Sequence, residues 1–300
     1  MGALGLGLAA LGRPGYMTLG HEQDLPSLAP EAMESQTHRV LDAAWTAGVR
    51  HFDVARSYGR GEAFLATWLQ ARRPSGVCVS SKWGYRYTAD WRSDAAVHEV
   101  KELSATHLSA QWAESRALLG PWLSVYQIHS ATLESGVLRD AAVLDRLAEL
   151  RESGVEVGLS VTGPRQGDVI DAALALPVFS WVQATWNVLE PSAGPALARA
   201  KSRGWRTIAK EGLANGRLSP RSDVAGWAAW ADARGASPDA LALAIALAQP
   251  FLDVVLSGAA TELQLASNLV ARRLEAPDDW QRFSLPAATY WGQRAQLRWS

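Results

Sequence analysis

The sequence predicts an α/β protein built as a single (β/α)8 TIM barrel over residues 1–300, on three observations. Eight short apolar runs recur along the chain, with longer segments of helical periodicity between them. The runs are near-continuously apolar rather than alternating, as parallel strands buried on both faces are. Polar side chains gather at the C-terminal ends of the runs, where the loops of such a barrel surround an open mouth.

The first run, 4–9, follows an N-terminus that is apolar but lacks a basic region, so it reads as a strand and not a signal peptide. Gly5-Leu6-Gly7-Leu8-Ala9-Ala10 also fits the phosphate turn of an open doubly wound sheet. No ribose-binding acid is clear about 20 residues on, so the closed barrel is preferred. A helix over 36–47 ends at Gly48 as C-cap. Strand two, 50–55, precedes a helix at 61–71, and strand three, 77–82, a helix at 109–119 that stops at Gly120-Pro121. Strand four, 125–129, leads to a helix at 140–152 with an apolar stripe at 143, 144, 147 and 150. Strand five, 156–160, precedes a helix at 165–175 behind Pro164, and strand six, 181–185, a helix at 195–202 that stops at Gly204. Strand seven is 207–210. Ser237-Pro238 reads as N-cap and N1 proline of a helix reaching Ala248. Strand eight is 254–257, and Thr261 caps a helix at 262–272. Extra helical segments are expected in the long stretch 213–236 after strand seven and in the C-terminal tail, at 287–297.

Lys plus Arg number 29 and Asp plus Glu 30, a formal net charge of −1, and no long basic block marks a nucleic-acid partner. The apolar stretch 240–248 is too short to span a bilayer. The one cysteine, Cys78, excludes an intrachain disulfide, reads as a buried core thiol and fits a reducing compartment. A cytoplasmic protein with a small-molecule partner is expected. The six histidines are scattered, and only His129 ends a strand, which argues against a metal site.

The strand ends carry Asp53, Lys82, His129-Ser130, Ser160, Gln183, Lys210-Glu211 and Ser257-Gly258, with Tyr58 five residues beyond Asp53. Each alone has a bland reading as a cap, a rim residue or a snorkelling chain. Together they put an acid, a cation, an imidazole and a phenol on one rim. A free phenol titrates near pH 10, too high for easy proton exchange at neutrality. A nearby Lys⁺ favours the phenolate, an Asp keeps the lysine charged, and a histidine orients a carbonyl oxygen. Such a phenol protonates that oxygen as hydride arrives at carbon, and hydride must come from a cofactor.

These residues resemble the aldo-keto reductase family. His51-Phe52-Asp53-Val54-Ala55-Arg56-Ser57-Tyr58-Gly59 with Glu62 resembles its Asp-then-Tyr-Gly signature. Ser81-Lys82-Trp83-Gly84 resembles its lysine strand end, and Tyr126-Gln127-Ile128-His129 its histidine strand end. The likeness runs from about residue 5 to 268. It implies a carbonyl reductase using NADP(H) or NAD(H), with Tyr58 as proton donor, Lys82 lowering its pKa, Asp53 holding Lys82 and His129 placing the carbonyl. It further implies nicotinamide contacts from Ser160 and Gln183, an adenine contact from Asn268, and cofactor phosphates on the loop Ser257-Gly258-Ala259-Ala260-Thr261. A non-catalytic, cofactor-binding regulatory member of the same fold is the alternative.

Three departures stand out. Val161 follows Ser160 where the family often has Asn. Lys210 stands where the family commonly stacks an aromatic ring on the nicotinamide. Between Ser257 and Asn268 there is no Lys or Arg, and Gly258, Thr261 and Gln264 fill the places that usually bind a 2′-phosphate. A phosphate dianion needs charged donors, so relaxed preference or preference for NAD is expected. Trp83, Tyr85 and Trp186, with Tyr87 or Trp91, are expected either to wall an aromatic substrate pocket or to pack the core. Arg56 is either a substrate contact or a surface charge.

Overall fold

The apolar runs pair into one closed sheet. The protein is described by a computed structural model covering residues 2–299. Its strands are β1 (Ala3–Gly7), β2 (His51–Asp53), β3 (Cys78–Trp83), β6 (Leu123–Ala131), β7 (Glu156–Val161), β8 (Trp181–Thr185), β9 (Arg206–Lys210) and β10 (Val254–Ser257). All are parallel and close in the order β1, β10, β9, β8, β7, β6, β3, β2. The predicted (β/α)8 barrel is therefore the fold. In that order β2 lies directly across the barrel from β8.

The side-chain period of two splits each strand between interior and exterior. Inside, the lower barrel is filled by Val125, Trp181, Ile208, Val254 and Leu256, with Cys78 packed against them. Cys78 is half-buried rather than a full core residue, and burial pushes its thiol up to about 11. The larger apolar cluster lies outside the strands, beneath the helices.

Those helices are α1 (Pro30–Thr46), α2 (Gly61–Arg72), α3 (Ala105–Leu119), α4 (Ala141–Glu152), α5 (Gln166–Ala173), α6 (Gly194–Ser202), α7 (Trp227–Asp232), α8 (Pro238–Leu247), α9 (Glu262–Val270) and α10 (Ala287–Arg294). Helices α7 and α10 are the extra segments expected after strand seven and in the tail. Helix α1 starts before 36, because Pro30 is pre-set for N1 and Met33 is buried in the first turn. Helix α3 starts at Ala105, where Ser104 accepts a hydrogen bond from the His107 amide at 3.2 Å. Thr261 caps α9 as expected, but Ser237 does not cap α8 with its side chain. The Ser237 hydroxyl instead meets that of Ser267 at 3.1 Å. One element was not anticipated. The short strands β4 (Tyr85–Tyr87) and β5 (Glu99–Lys101) pair antiparallel as a ribbon in the connection between β3 and α3. Among the described residues, no helix is long and apolar enough to cross a membrane.

Candidate active site

Strand β3 places Ser80 and Lys82 inward, and both reach Asp53 at the end of β2. The Lys82 ammonium touches the Asp53 carboxylate and donates to the Val54 carbonyl at 3.0 Å. Asp53 also accepts from the Ser80 hydroxyl at 2.6 Å and from the Gln183 amide at 3.0 Å. A charge pair this deeply buried persists only when its remaining lone pairs are filled, and here they are.

Tyr58 follows on a tight turn, with its amide donating to Ala55 at 3.0 Å. Gly59 continues the turn at φ 57°, and any side chain there would strike the Gly12 carbonyl. The Tyr58 ring lies 5.1 Å from the Lys82 ammonium and meets the His129 ring edge-on at 5.5 Å. His129 ends the inward row of β6, and its Nδ1 lies 3.5 Å from the Ser57 hydroxyl. The structure thus brings Asp53, Tyr58, Lys82 and His129 together.

Burial pushes the Tyr58 phenol well above its ordinary value, and Asp53 adds to the rise. The foremost offset is the guanidinium of Arg13. Burial, then the charges of Lys82, Lys210 and Arg13, holds His129 well below its ordinary 6.5, so its imidazole is neutral at neutral pH. Burial likewise lowers Lys210 to about 8, although Glu211 opposes it. Burial alone would raise Glu211, but Lys210 and Arg294 overcome it and hold the carboxyl at about 2.

A cavity of about 340 Å³ opens at this rim and extends past the end of β10 to the start of α9. Gln183, Lys210, Ser257, Gly258, Gln264 and Asn268 line it. At its far end the Gln264 side chain accepts from the Ala260 amide at 2.8 Å. The Asn268 amide bridges Ser257 at 2.8 Å and Asp239 on α8 at 2.7 Å. The other Asp239 carboxylate oxygen is buried, has no partner among the described residues, and belongs to a residue lining the cavity.

Several expected contacts are not brought to the cavity wall. The Ser160 hydroxyl accepts from the Ser130 amide at 2.8 Å and is buried, and Thr261 spends its oxygen on the α9 cap. Trp83 and Trp186 are corrected outright as substrate walls. Both are fully buried outside the barrel strands, Trp186 against Phe251 and Trp280. The reason is parity: on β3 an inward Lys82 turns Trp83 outward. Tyr85 is half-buried and edge-on to His129 at 4.9 Å. Tyr87 and Trp91 flank a small surface groove beside Arg60. Arg56 pairs with Glu62 and Glu114 and does not line the cavity.

Sequence reasoning missed Arg13, Glu99, Arg294 and Asp239, all of which line the cavity. Arg13 left a trace, as a lone charge in an apolar N-terminal run. Glu99 and Arg294 left none, because their partners are distant in sequence. Among the described residues no cluster fit to hold a metal ion is found.

With this geometry in place, comparison with known proteins is direct. The sequence model of the Aldo/keto reductase family matches residues 3–282. An aldo-keto reductase of Bacillus halodurans, solved in its holo form, superposes with a TM-score of 0.71 at 19% identity, covering 97% of this chain and 91% of its own. A glycerol dehydrogenase of Gluconobacter oxydans gives a TM-score of 0.71 at 18% identity, covering 93% and 89%. At these identities the likeness is one of fold. None of the curated proteins matches the sequence.

Proposed function

The chain belongs to the aldo-keto reductase family, a family of oxidoreductases, and from that premise we propose that it interconverts an aldehyde or ketone and its alcohol with NAD(P)H, Tyr58 exchanging the proton. The observation that carries this reading is the convergence of Tyr58, Asp53 and a neutral His129 on one cavity wall, with Lys82 buried behind them against Asp53.

The other end of the cavity fits a dinucleotide. An unpartnered buried carboxylate oxygen on Asp239, the Asn268 amide and the start of α9 sit together there. A nine-residue helix start favours anionic groups. Ser257, Gly258, Gln264 and Asn268 would hold the cofactor, with Gln183 and Lys210 beneath its reactive end. When bound, the nicotinamide supplies the hydride that no side chain can.

The chain's own residues do the rest. Asp53 fixes Lys82 beneath the phenol. His129 Nδ1 faces the Ser57 hydroxyl at 3.5 Å, and in the tautomer that accepts from it the neutral ring would offer Nε2–H to a carbonyl oxygen. Tyr58 donates its proton to that oxygen in reduction and accepts it in oxidation.

The cofactor end favours NAD(H) at least as well as NADP(H). No Lys or Arg occurs between Ser257 and Asn268. Arg39 reaches the start of α9 from α1, but it faces Glu262 at 3.5 Å and donates to Gln36. Tyr58→Phe tests the function: carbonyl reduction falls by about 10²–10⁴ while cofactor binding is retained. Unchanged turnover would remove Tyr58 from the reaction.

A further inference from the structure

Two cations flank the Tyr58 ring. The Lys82 ammonium and the Arg13 guanidinium carbon each lie 5.1 Å from its centroid. They differ in what holds them. Lys82 is fully buried against Asp53, so much of its field at the phenol is cancelled. Asp53 itself stands among the groups that raise the phenol. Arg13 comes from the loop after β1 and is 3% exposed. It donates to the Ser57 carbonyl at 3.3 Å and to Glu99 at 2.8 Å. The Glu99 side chain is 20% exposed, so water screens part of its charge. Tyr16 and Trp299 pack their rings over the same guanidinium at 5.2 and 4.6 Å. The Arg13 Nε is buried and makes no hydrogen bond among the described residues.

We propose that Arg13, oriented by Glu99, is a positioning residue for the reaction: the cation that sets how readily the Tyr58 phenol releases and recovers its proton. This rests on the reading of Tyr58 as proton donor. Losing that proton to the substrate oxygen leaves a phenolate, and a guanidinium keeps its charge over the whole working range. The charged and titratable groups facing the phenol are Asp53 from β2, Lys82 from β3, His129 from β6, Glu99 from β5, Glu211 after β9, and Arg13 with Tyr16 from the first loop. Among the cations, Arg13 offsets the rise most. It does so from a loop that Glu99 ties to the unanticipated β4–β5 ribbon.

Opposite charges make the test directional. In alcohol oxidation, activity rises with pH as Tyr58 becomes a base. For Arg13→Gln the rising limb of kcat/KM moves up by about one pH unit or more. For Glu99→Gln, which unmasks the guanidinium, it moves down. Arg13→Lys keeps the positive charge but not the stacked plane, so the limb returns toward the parent position without fully reaching it. The same proteins, labelled with ζ-¹³C tyrosine and titrated upward from pH 10, report the Tyr58 phenolate without turnover, its resonance identified by Tyr58→Phe. The expected order of phenolate fraction is Glu99→Gln, then parent, then Arg13→Gln. A merely structural role would move both variants the same way or neither, and either result overturns the proposal. Should Arg13→Gln not fold, Glu99→Gln decides alone: a downward shift supports the proposal, and none or an upward one ends it. Full turnover by Tyr58→Phe would instead overturn the reading beneath it, while the resonance order still reports the field.

Discussion

The Gln183 amide on β8 donates to Asp53 on β2 at 3.0 Å, across the full width of the barrel. The carboxylate that holds Lys82 is thus itself held from the opposite wall. Gln183→Leu leaves a buried carboxylate oxygen short of a donor and destabilises the protein by about 1–3 kcal/mol. Urea unfolding measures this, and a change within error would mean that the bond is not formed.

Gly12 lies behind the turn that carries Tyr58. A Cβ there would come within 2.4 Å of the Tyr58 carbonyl and 2.7 Å of the Gly61 Cα, both main-chain atoms. Gly12→Ala is therefore expected to cost about 1–3 kcal/mol and, by displacing Tyr58, to lower turnover by about 10². Parent-like kinetics would show that the turn yields without moving the phenol.

Lys210 gives stability a pH dependence with a definite sign. Burial lowers it to about 8, while the unfolded chain keeps its proton up to the ordinary 10.5. Between those values the unfolded state binds more protons, so stability rises with pH. Lys210→Met removes this rise. The parent gains about 1–3 kcal/mol on the variant across the window, measured by denaturation at stepped pH. Parallel curves would place the lysine in water.

Arg294 on α10 forks onto Glu211, with its Nε 3.1 and 3.0 Å from the two carboxylate oxygens. Arg294→Met leaves that buried carboxylate with the Thr185 hydroxyl and, among the described residues, Lys210 as its one nearby cation, and costs about 3–5 kcal/mol at neutral pH. Glu211 sits at about 2 against an ordinary 4.5. Its contribution is therefore fully present above 4.5 and lost as pH falls through 2. The gap between variant and parent should narrow over that interval, and a constant gap would assign the loss to packing.

Titrating NADH and NADPH separately against tryptophan fluorescence checks the cofactor end. NADH is expected to bind at least as tightly. NADPH tighter by tenfold, about 1.4 kcal/mol, would mean that a cation, Arg39 foremost, swings onto the 2′-phosphate.

The barrel was legible because its signal is local. All eight strands announce themselves as apolar runs, and β8 and β10 match their expected limits residue for residue. The four residues that meet at the rim, Asp53, Tyr58, Lys82 and His129, were legible because each closes or follows such a run. The sequence left open whether the tryptophans wall a pocket or pack the core, and only strand parity decides it, since Trp83 sits on the face of β3 opposite Lys82. The Arg13–Glu99 pair was out of reach for another reason. Its partners lie 86 residues apart, and Glu99 belongs to a three-residue, mostly exposed strand with no apolar pattern to betray it.

The closing order of the sheet bears on how the protein is made. Strand β1 pairs with β2 on one side and with β10 on the other, so its second edge stays open until Val254–Ser257 has left the ribosome. By then the segments carrying Asp53, Tyr58, Lys82 and His129 have long been synthesised, but the sheet holding them is still an unclosed one. An open parallel edge invites pairing with another chain. The nascent protein therefore passes most of its synthesis with that edge unpaired. Slowed translation or a lack of chaperones late in the chain should lower yield far more than the same disturbance early.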